Sequence, residues 1–252
     1  MTAITLEGLT KRFATPKGPL LALEGVSLEA AAGEFVSIIG PSGSGKSTLF
    51  NIVAGLERPD AGRVLLDGTD ATGRRGAVAY MPQRDALLPW RSVLDNAVLA
   101  AAVQGGDVVA ARREAQGLLE LFGLAGFGDA LPTTLSGGMR QRAALLRTVL
   151  WPRPVLLLDE PFGALDALTR AQLQQWLLEL RGRLERTILL VTHDVDEALL
   201  LSDRVYVLTP RPGRLALTLP VALPRPRAYG MVASPEFGRL KVRLLQELRV
   251  AP

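Results

Sequence analysis

The chain has 252 residues, 48% of them hydrophobic, a formal net charge of +4 and no cysteine. That length and apolar content suffice for one α/β domain with room for a subdomain, and the absence of cysteine excludes disulfides, thiolate zinc sites and cysteine nucleophiles. The positive charge, carried mostly by arginine, suits a polyphosphate or an anionic membrane surface but is too mild to argue for nucleic acid.

Met1–Glu7 lacks the basic and long apolar regions of a signal peptide. No uninterrupted apolar run is long enough to span a bilayer, so a soluble or peripheral protein is expected. Residues 3–9 alternate apolar and polar and read as a strand. The stretch Ala14–Leu20, with Pro16, Gly18 and Pro19, reads as a turn or loop, and Val26–Leu28 as a short strand. Gly33-Glu34 turns the chain into the apolar strand Phe35–Ile39.

The next stretch, Gly40-Pro41-Ser42-Gly43-Ser44-Gly45-Lys46-Ser47, fits G-x-x-x-x-G-K-S/T, the phosphate-binding loop of nucleotide hydrolases. A triphosphate needs several donors converging on its oxygens. Glycines let successive backbone N–H groups curl inward as an anion nest, and the helix expected from Lys46 adds its positive end. Lys46 can reach the β- and γ-phosphates and the Ser47 hydroxyl can hold Mg²⁺. Beyond this helix, Pro59–Gly62 reads as a turn, Arg63–Leu66 as a strand and Ala77–Met81 as another, stopped by Pro82.

From Ser92 to about Pro152 the pattern is helical, with no clear strand. Ser92-Val93-Leu94-Asp95 looks like a capping box. Val93, Leu94, Ala97, Val98 and Ala101 follow at helical spacing, Gly105-Gly106-Asp107 breaks the chain, and Ala111, Ala115, Leu118, Leu119 and Phe122 form the next apolar stripe. Residues 84–152 are therefore expected as a helical subdomain inserted between 1–83 and 153–222 of a nucleotide-binding core, with 223–252 a short tail. Val155–Leu158 is fully apolar, as at the centre of a parallel sheet. A helix over about Ala167–Glu185 follows, with Leu168, Leu173, Leu177, Leu180 and Leu184 as its apolar positions. After it come a strand at Thr187–Val191, a short helix at Asp194–Leu201, a strand at Arg204–Leu208, a turn at Pro210–Gly213, a stretch at Leu215–Val221 expected to pair back as a hairpin and a final helix from Ser234-Pro235.

Phosphoryl transfer to water needs a metal and a water-positioning base besides the phosphate cradle. Asp159 and Glu160 end the strand Val155–Leu158 at the edge where open α/β sheets bind ligands. There Asp159 can hold the metal and Glu160 can polarise water; by themselves they would equally be a solvated acidic pair. His193, the only histidine, follows Val191 at the same edge, and Gln83 follows the strand Ala77–Met81. Ser136 can cap a helix whose Gly137-Gly138 start would let a phosphate approach.

Taken in order, these motifs make the chain resemble the ATP-binding subunit of an ABC transporter over essentially its whole length. They are the Walker A loop Gly40–Ser47, the Q-loop residue Gln83 and the signature Leu135–Met139. The Walker B strand Val155–Asp159 with Glu160, the D-loop Ala164-Leu165-Asp166 and the switch histidine His193 complete the set. The resemblance implies an α/β fold: a P-loop NTPase core with a mixed, largely parallel sheet, an N-terminal antiparallel β subdomain and the inserted helical subdomain. It implies ATP and Mg²⁺ as cofactors. Nucleotide binding would fall to Phe13, Gly40, Pro41, Ser42, Gly43, Ser44, Gly45, Lys46, Ser47 and Thr48, with Ser136, Gly137 and Gly138 reaching the nucleotide of a second subunit in a head-to-tail dimer. Ser47, Gln83 and Asp159 would serve the metal, and Glu160, His193 and Gln83 catalysis. Phe13 matches the aromatic that stacks on adenine, although as a residue it fits a core position equally. The sequence departs from the commonest pattern at Met139, usually glutamine, and at Phe13, usually tyrosine.

Leu87, Leu88 and Trp90 either pack inside the helical subdomain or form a docking groove for a partner helix; in the family this region receives a coupling helix of the permease. The Leu87-Leu88-Pro89-Trp90 stretch, the signature and Pro224-Arg225-Pro226-Arg227 resemble the bacterial importers of nitrate, aliphatic sulfonates, taurine and pyrimidine precursors. A peripheral subunit on the cytoplasmic face of the inner membrane is implied, with a second ATPase subunit and a permease as direct partners, a solute-binding protein as an indirect one and no nucleic acid. A soluble ABC ATPase acting on nucleic acid or ribosomes, an exporter subunit and a P-loop kinase or GTPase are the rival readings.

Overall fold

The computed structural model describes residues 2–163, 165–184 and 186–250. In chain order the strands and helices are β1 (Thr2–Thr15), β2 (Gly18–Ala31), β3 (Phe35–Ile39), α1 (Lys46–Val53), β4 (Ala61–Leu66), β5 (Thr69–Asp70) and β6 (Ala79–Met81). The helical stretch holds α2 (Val93–Ala97), α3 (Leu99–Gln104), α4 (Val108–Leu118) and α5 (Gly137–Val149). Then come β7 (Val155–Asp159), α6 (Ala167–Leu184), β8 (Thr187–Val191), α7 (Val195–Leu201), β9 (Arg204–Leu208), β10 (Leu215–Pro220) and α8 (Pro235–Val250).

Two sheets result. One is antiparallel with order β2-β1-β4-β5; the other has order β10-β9-β3-β8-β7-β6 and is parallel except for β10. Every residue of β3, β7 and β8 is buried. The reason is that both faces of this sheet are covered. Leu156, Leu158, Ile188 and Leu190 pack with the helical block, including Leu94 and Leu145, and with Leu177 of α6. The alternate residues Val155, Leu157, Leu189 and Val191 pack with α1 and the antiparallel sheet, including Phe50, Leu6 and Val26. A third cluster joins β9 to α7 and α8 through Val205, Val207, Leu199, Phe237 and Leu244. Strands buried on both faces are apolar at both parities, hence their Val/Ile/Leu-rich runs, and the one polar residue inside β3, Ser37, is paired with Ser202 through its hydroxyl.

The N-terminal reading needs correction. Ala14–Leu20 is not a loop: only Pro16 and Lys17 turn, and β1 and β2 pair from Thr2↔Ala31 to Thr15↔Gly18. Pro19 is tolerated because β2 is an edge strand, so its missing N–H breaks no inner ladder. Register shifts along β1 and β2 obscure the two-residue alternation that marks a strand. Ala61 and Gly62, expected in a turn, begin β4, and the strand expected from Ala77 starts at Ala79. The first helical stripe is split at Val98 into α2 and α3. Leu168 is 71% exposed because it stands about half a turn around α6 from the buried Leu173 and Leu177. Glu185, the expected end of that helix, and Ala164 of the D-loop lie outside the described residues.

Candidate functional site

The parallel strands deliver their chemistry to one edge. β3 runs into the glycine-rich loop, β6 into Pro82-Gln83, β7 into Glu160 and β8 into Thr192-His193. Gly45 caps α1 with φ 89°, where a side chain would be strained, and an added Cβ would sit 2.6 Å from Leu23 Cδ2. No side chain caps α1, which leaves its first N–H groups for an anion. Gly40, Pro41 and Ser44 shape the loop from within: Lys46 Nζ donates to Gly40 O (2.8 Å), Pro41 O (3.0 Å) and Ser44 Oγ (3.4 Å). Burial pulls the Lys46 ammonium below the usual lysine range, with Glu160 and Asp159 opposing.

Asp159 is 2% exposed, and its Oδ1 is buried without a hydrogen-bond partner. Burial pushes this carboxyl above the usual carboxylate range and Glu160 adds to the push, while the Ser47 and Tyr80 hydroxyls and Lys46 pull against it. A buried, unsatisfied anionic oxygen beside Ser47 is a donor set suited to a hard cation. Glu160 has φ 49°, an uncommon conformation for a residue with a side chain. Its amide donates to Val191 O at 2.9 Å. Its carboxylate accepts from Gln83 Nε2 at 3.0 Å and lies 3.6 Å from His193 Nδ1. The structure thus brings Gln83, Glu160 and His193 together.

A cleft of about 390 Å³ opens over the loop, lined by Ser42, Gly43, Gly45, Lys46, Ser47 and Thr48 together with Gln83 and Glu160. Phe13, partly exposed, forms another wall, with Lys11 Nζ 5.2 Å from its ring centre. Ser136, Gly137 and Gly138 do not line this cleft. Ser136 caps α5 by accepting from Met139 N at 3.3 Å, and Ser136 and Gly137 are exposed. In the D-loop, Leu165 is buried and Asp166 accepts from Thr169 N at 3.0 Å.

Helix α5 is tied to the site in two places. Gln141 Nε2 donates to Glu160 O at 3.5 Å. Arg140 pairs with Asp85 at 3.1 Å, and Arg147 donates to the carbonyls of Asp85 and Ala86, both at 2.7 Å, fixing the residues that follow Gln83. Of the apolar trio after Gln83, Leu87 is buried and Leu88 half-buried, whereas Trp90 is 72% exposed. The structure therefore does not place Trp90 in the core: its side chain stands largely in solvent.

Sequence reasoning missed three cleft residues, Leu20, Ala22 and Arg211. Leu20 was hidden by the misread loop, Ala22 lies in the part of β2 that the sequence left unassigned, and Arg211 sat in what read as an ordinary turn. It also missed Glu197. This carboxyl is 5% exposed, accepts from Thr192 Oγ1 and from Gln174 Nε2, and is pushed by burial up to about 7. An acidic residue at the third position of a helix gives no sign of such burial.

The family model for ABC transporters matches residues 23–163. The taurine import ATP-binding protein TauB of Pseudomonas aeruginosa is 41% identical over 252 residues, covering 98% of this chain and 96% of that protein. The aliphatic sulfonates import ATP-binding protein SsuB 1 of Pseudomonas syringae pv. syringae is 48% identical over 229 residues, covering 91% of this chain and 90% of that protein. Among solved structures, the dimeric bacterial ABC transporter cassette MJ0796 matches with a TM-score of 0.80 at 30% identity, covering 87% of this chain and 99% of that one. The dimeric post-hydrolysis state of the same cassette, bound to ADP and Pi, matches with a TM-score of 0.79 at 29% identity over the same shares, 87% and 99%.

Proposed function

Because the chain belongs to the ABC transporter family, we propose that it is the ATP-hydrolysing subunit of an importer, energising passage of a small taurine- or sulfonate-like solute through a separate permease. The observation that carries this reading is the meeting of Gln83, Glu160 and His193 at the mouth of the phosphate-loop cleft. Hydrolysis of a triphosphate needs a water held in line with the terminal phosphorus and a sink for its proton. Glu160 is that sink, oriented by Gln83 on one oxygen and by His193 on the other. The loop amides, the start of α1 and Lys46 hold the phosphate oxygens, and Phe13 offers an aromatic face to the base.

Ser47, Asp159 and Gln83 are the residues that would hold Mg²⁺, and the buried, unsatisfied oxygen of Asp159 fits that role. The ion, when bound, would neutralise charge on the phosphate oxygens.

The exposed start of α5 is available to a second copy, whose cleft Ser136, Gly137 and Gly138 would then cap; the dimeric cassettes support this arrangement. Two such subunits closing on ATP and separating after hydrolysis would transmit motion through Asp85, Ala86 and Trp90. An apolar pocket of about 170 Å³ lined by Leu56, Val78, Tyr80 and Trp151 flanks the strand that leads to Gln83. This extends the surface offered to a permease. Among the described residues no helix is long and apolar enough to cross a membrane; the placement proposed, a peripheral subunit at the cytoplasmic face of the inner membrane, rests on the import relatives.

The deciding experiment is purification of tagged Glu160→Gln protein from native membranes with ATP present. Recovery of a multi-span permease is expected. Recovery only from the soluble fraction, with nucleic acid or ribosomes and no membrane protein, would overturn the transport reading in favour of a soluble ABC ATPase. A permease operating outward would make it an exporter.

A further inference from the structure

Arg211 lies far in sequence from the phosphate-binding loop, yet its guanidinium reaches the loop. Nη2 is 3.1 Å from where a Cβ on Gly43 would sit, and Arg211 lines the same cleft as Lys46 and Phe13. The segment that carries it is held tightly. Thr209 N donates to Arg214 O at 2.9 Å, and Arg214 N donates back to Thr209 Oγ1 at 3.0 Å. Thr209 Oγ1 also donates to Pro212 O at 3.0 Å. Gly213 N donates to Ala22 O at 2.9 Å, and Gly213 O accepts from Glu24 N at 3.0 Å. An added Cβ on Gly213 would lie 2.0 Å from Ser44 O, so the turn presses directly on the backbone of the phosphate loop.

The side chain on this fixed base is itself untied. Arg211 is exposed and has no hydrogen bond or ion pair to another described residue. Lys46 and Arg211 are the only cations among the described residues lining the cleft, and Glu160 is the only anion. Lys46 is already bonded to two loop carbonyls. A triphosphate brings several negative charges, so a free guanidinium in reach of the loop has an evident partner. Strand order sets its side of approach. β9 lies on one flank of β3, and β8 and β7, which deliver His193 and Glu160, lie on the other.

We propose that Arg211 is a phosphate clamp of the nucleotide cleft, closing onto the polyphosphate chain from the flank of the loop away from the reacting water. This rests on the ATPase reading above. A guanidinium so placed strengthens nucleotide binding and leaves the hydrolytic step to Glu160.

The test compares wild type, Arg211→Ala, Arg211→Lys and, as a control in the same turn, Arg214→Ala, which removes only an exposed ion pair with Glu24. ATP and ADP affinities of the full chain are titrated with Mg²⁺ present, at two salt concentrations. Arg211→Ala is expected to weaken both nucleotides about tenfold, the scale of one exposed charge-assisted hydrogen bond. Its salt dependence should flatten, KM should rise and kcat should change less than about twofold. Arg211→Lys should recover part of the affinity, Arg214→Ala should match wild type, and the nucleotide-free melting temperature should not move. Wild-type ATP affinity in Arg211→Ala overturns the proposal. So does a variant that binds ATP normally as a monomer but no longer dimerises, since Arg211 would then serve the partner subunit. Equal losses in Arg211→Lys and Arg214→Ala with a lowered melting temperature would make the turn merely structural. If the wild-type protein binds no ATP, the ATPase reading falls and takes the clamp with it; normal wild-type binding with an unaltered Arg211→Ala sinks the clamp alone.

Discussion

The parallel sheet and the helical block between β6 and β7 solve opposite problems. In the sheet, β3, β7 and β8 are buried at every residue, and what emerges at their shared edge is polar and held: Lys46 by carbonyls, Glu160 by Gln83. In the block, seven of the thirteen large hydrophobic side chains left exposed among the described residues lie within residues 84–152, about a quarter of the chain. Trp90, Val103 and Val109 are each at least 70% exposed. A region that completes its own packing is built to hold a reaction geometry. A region that leaves apolar side chains open holds no such geometry, and under the proposed function it is the part offered to other chains. Arg140, Arg147 and Gln141 of α5 join the two.

The comparison breaks first, and by the most, if Glu160 is not the water-positioning group. Glu160→Gln should lower ATP turnover by about 10²–10⁴-fold, the range for loss of a general base, while ATP binding persists. A steady-state assay paired with a binding titration checks both halves. Next in size is the sheet itself. Leu189→Ala removes a fully buried side chain and should cost about 2–5 kcal/mol in denaturant unfolding; a cost near zero would mean the sheet is not the rigid partner.

Glu197 gives a smaller and pH-dependent effect. Its folded carboxyl is pushed from an ordinary 4.5 up to about 7, chiefly by burial. Between those values the folded protein keeps a proton that the unfolded chain has released. The stabilisation is therefore complete below 4.5 and is lost as pH rises through about 7. Glu197→Gln should unfold with a flatter pH dependence, matching wild type in acid and exceeding it by about 1–3 kcal/mol at pH 8. Melting curves across that range are the measurement, and parallel curves for the two proteins would contradict it.

At the small end lies the block. Ser92 caps α2 by accepting from Asp95 N at 3.1 Å, so Ser92→Ala should cost about 1 kcal/mol. Trp90→Ala should change the stability of the isolated subunit by less than about 0.5 kcal/mol yet weaken ATPase stimulation by the permease in reconstituted vesicles. If it instead destabilises the isolated subunit by several kcal/mol, the open surface assigned to Trp90 is really core.

Much of this was legible from residues alone, and the places where it was not share a cause. The ends of β3, β7 and β8 read directly because a strand covered on both faces is apolar along most of its length, with a single polar residue in each. The cap at Ser92 and the break at Gly105 read directly because they are decided within a few residues. β1 and β2 did not, because their register shifts disrupt alternation and Pro19 imitates a turn. Leu168 did not, because which side of α6 meets the core depends on where Phe122 and Trp176 stack, 4.4 Å apart.

By itself, then, the sequence determined the phosphate loop, the carboxylate pair after an apolar strand and the alternation of strands with helices. Those depend on local backbone geometry and on periodic burial, which adjacent residues specify. Only the tertiary structure decided that Gln83, Glu160 and His193 meet, that Trp90 stands in solvent and that Arg211 reaches Gly43. Each depends on strand order and on which surfaces remain uncovered once the sheets and helices have packed, and no short window of sequence contains that information.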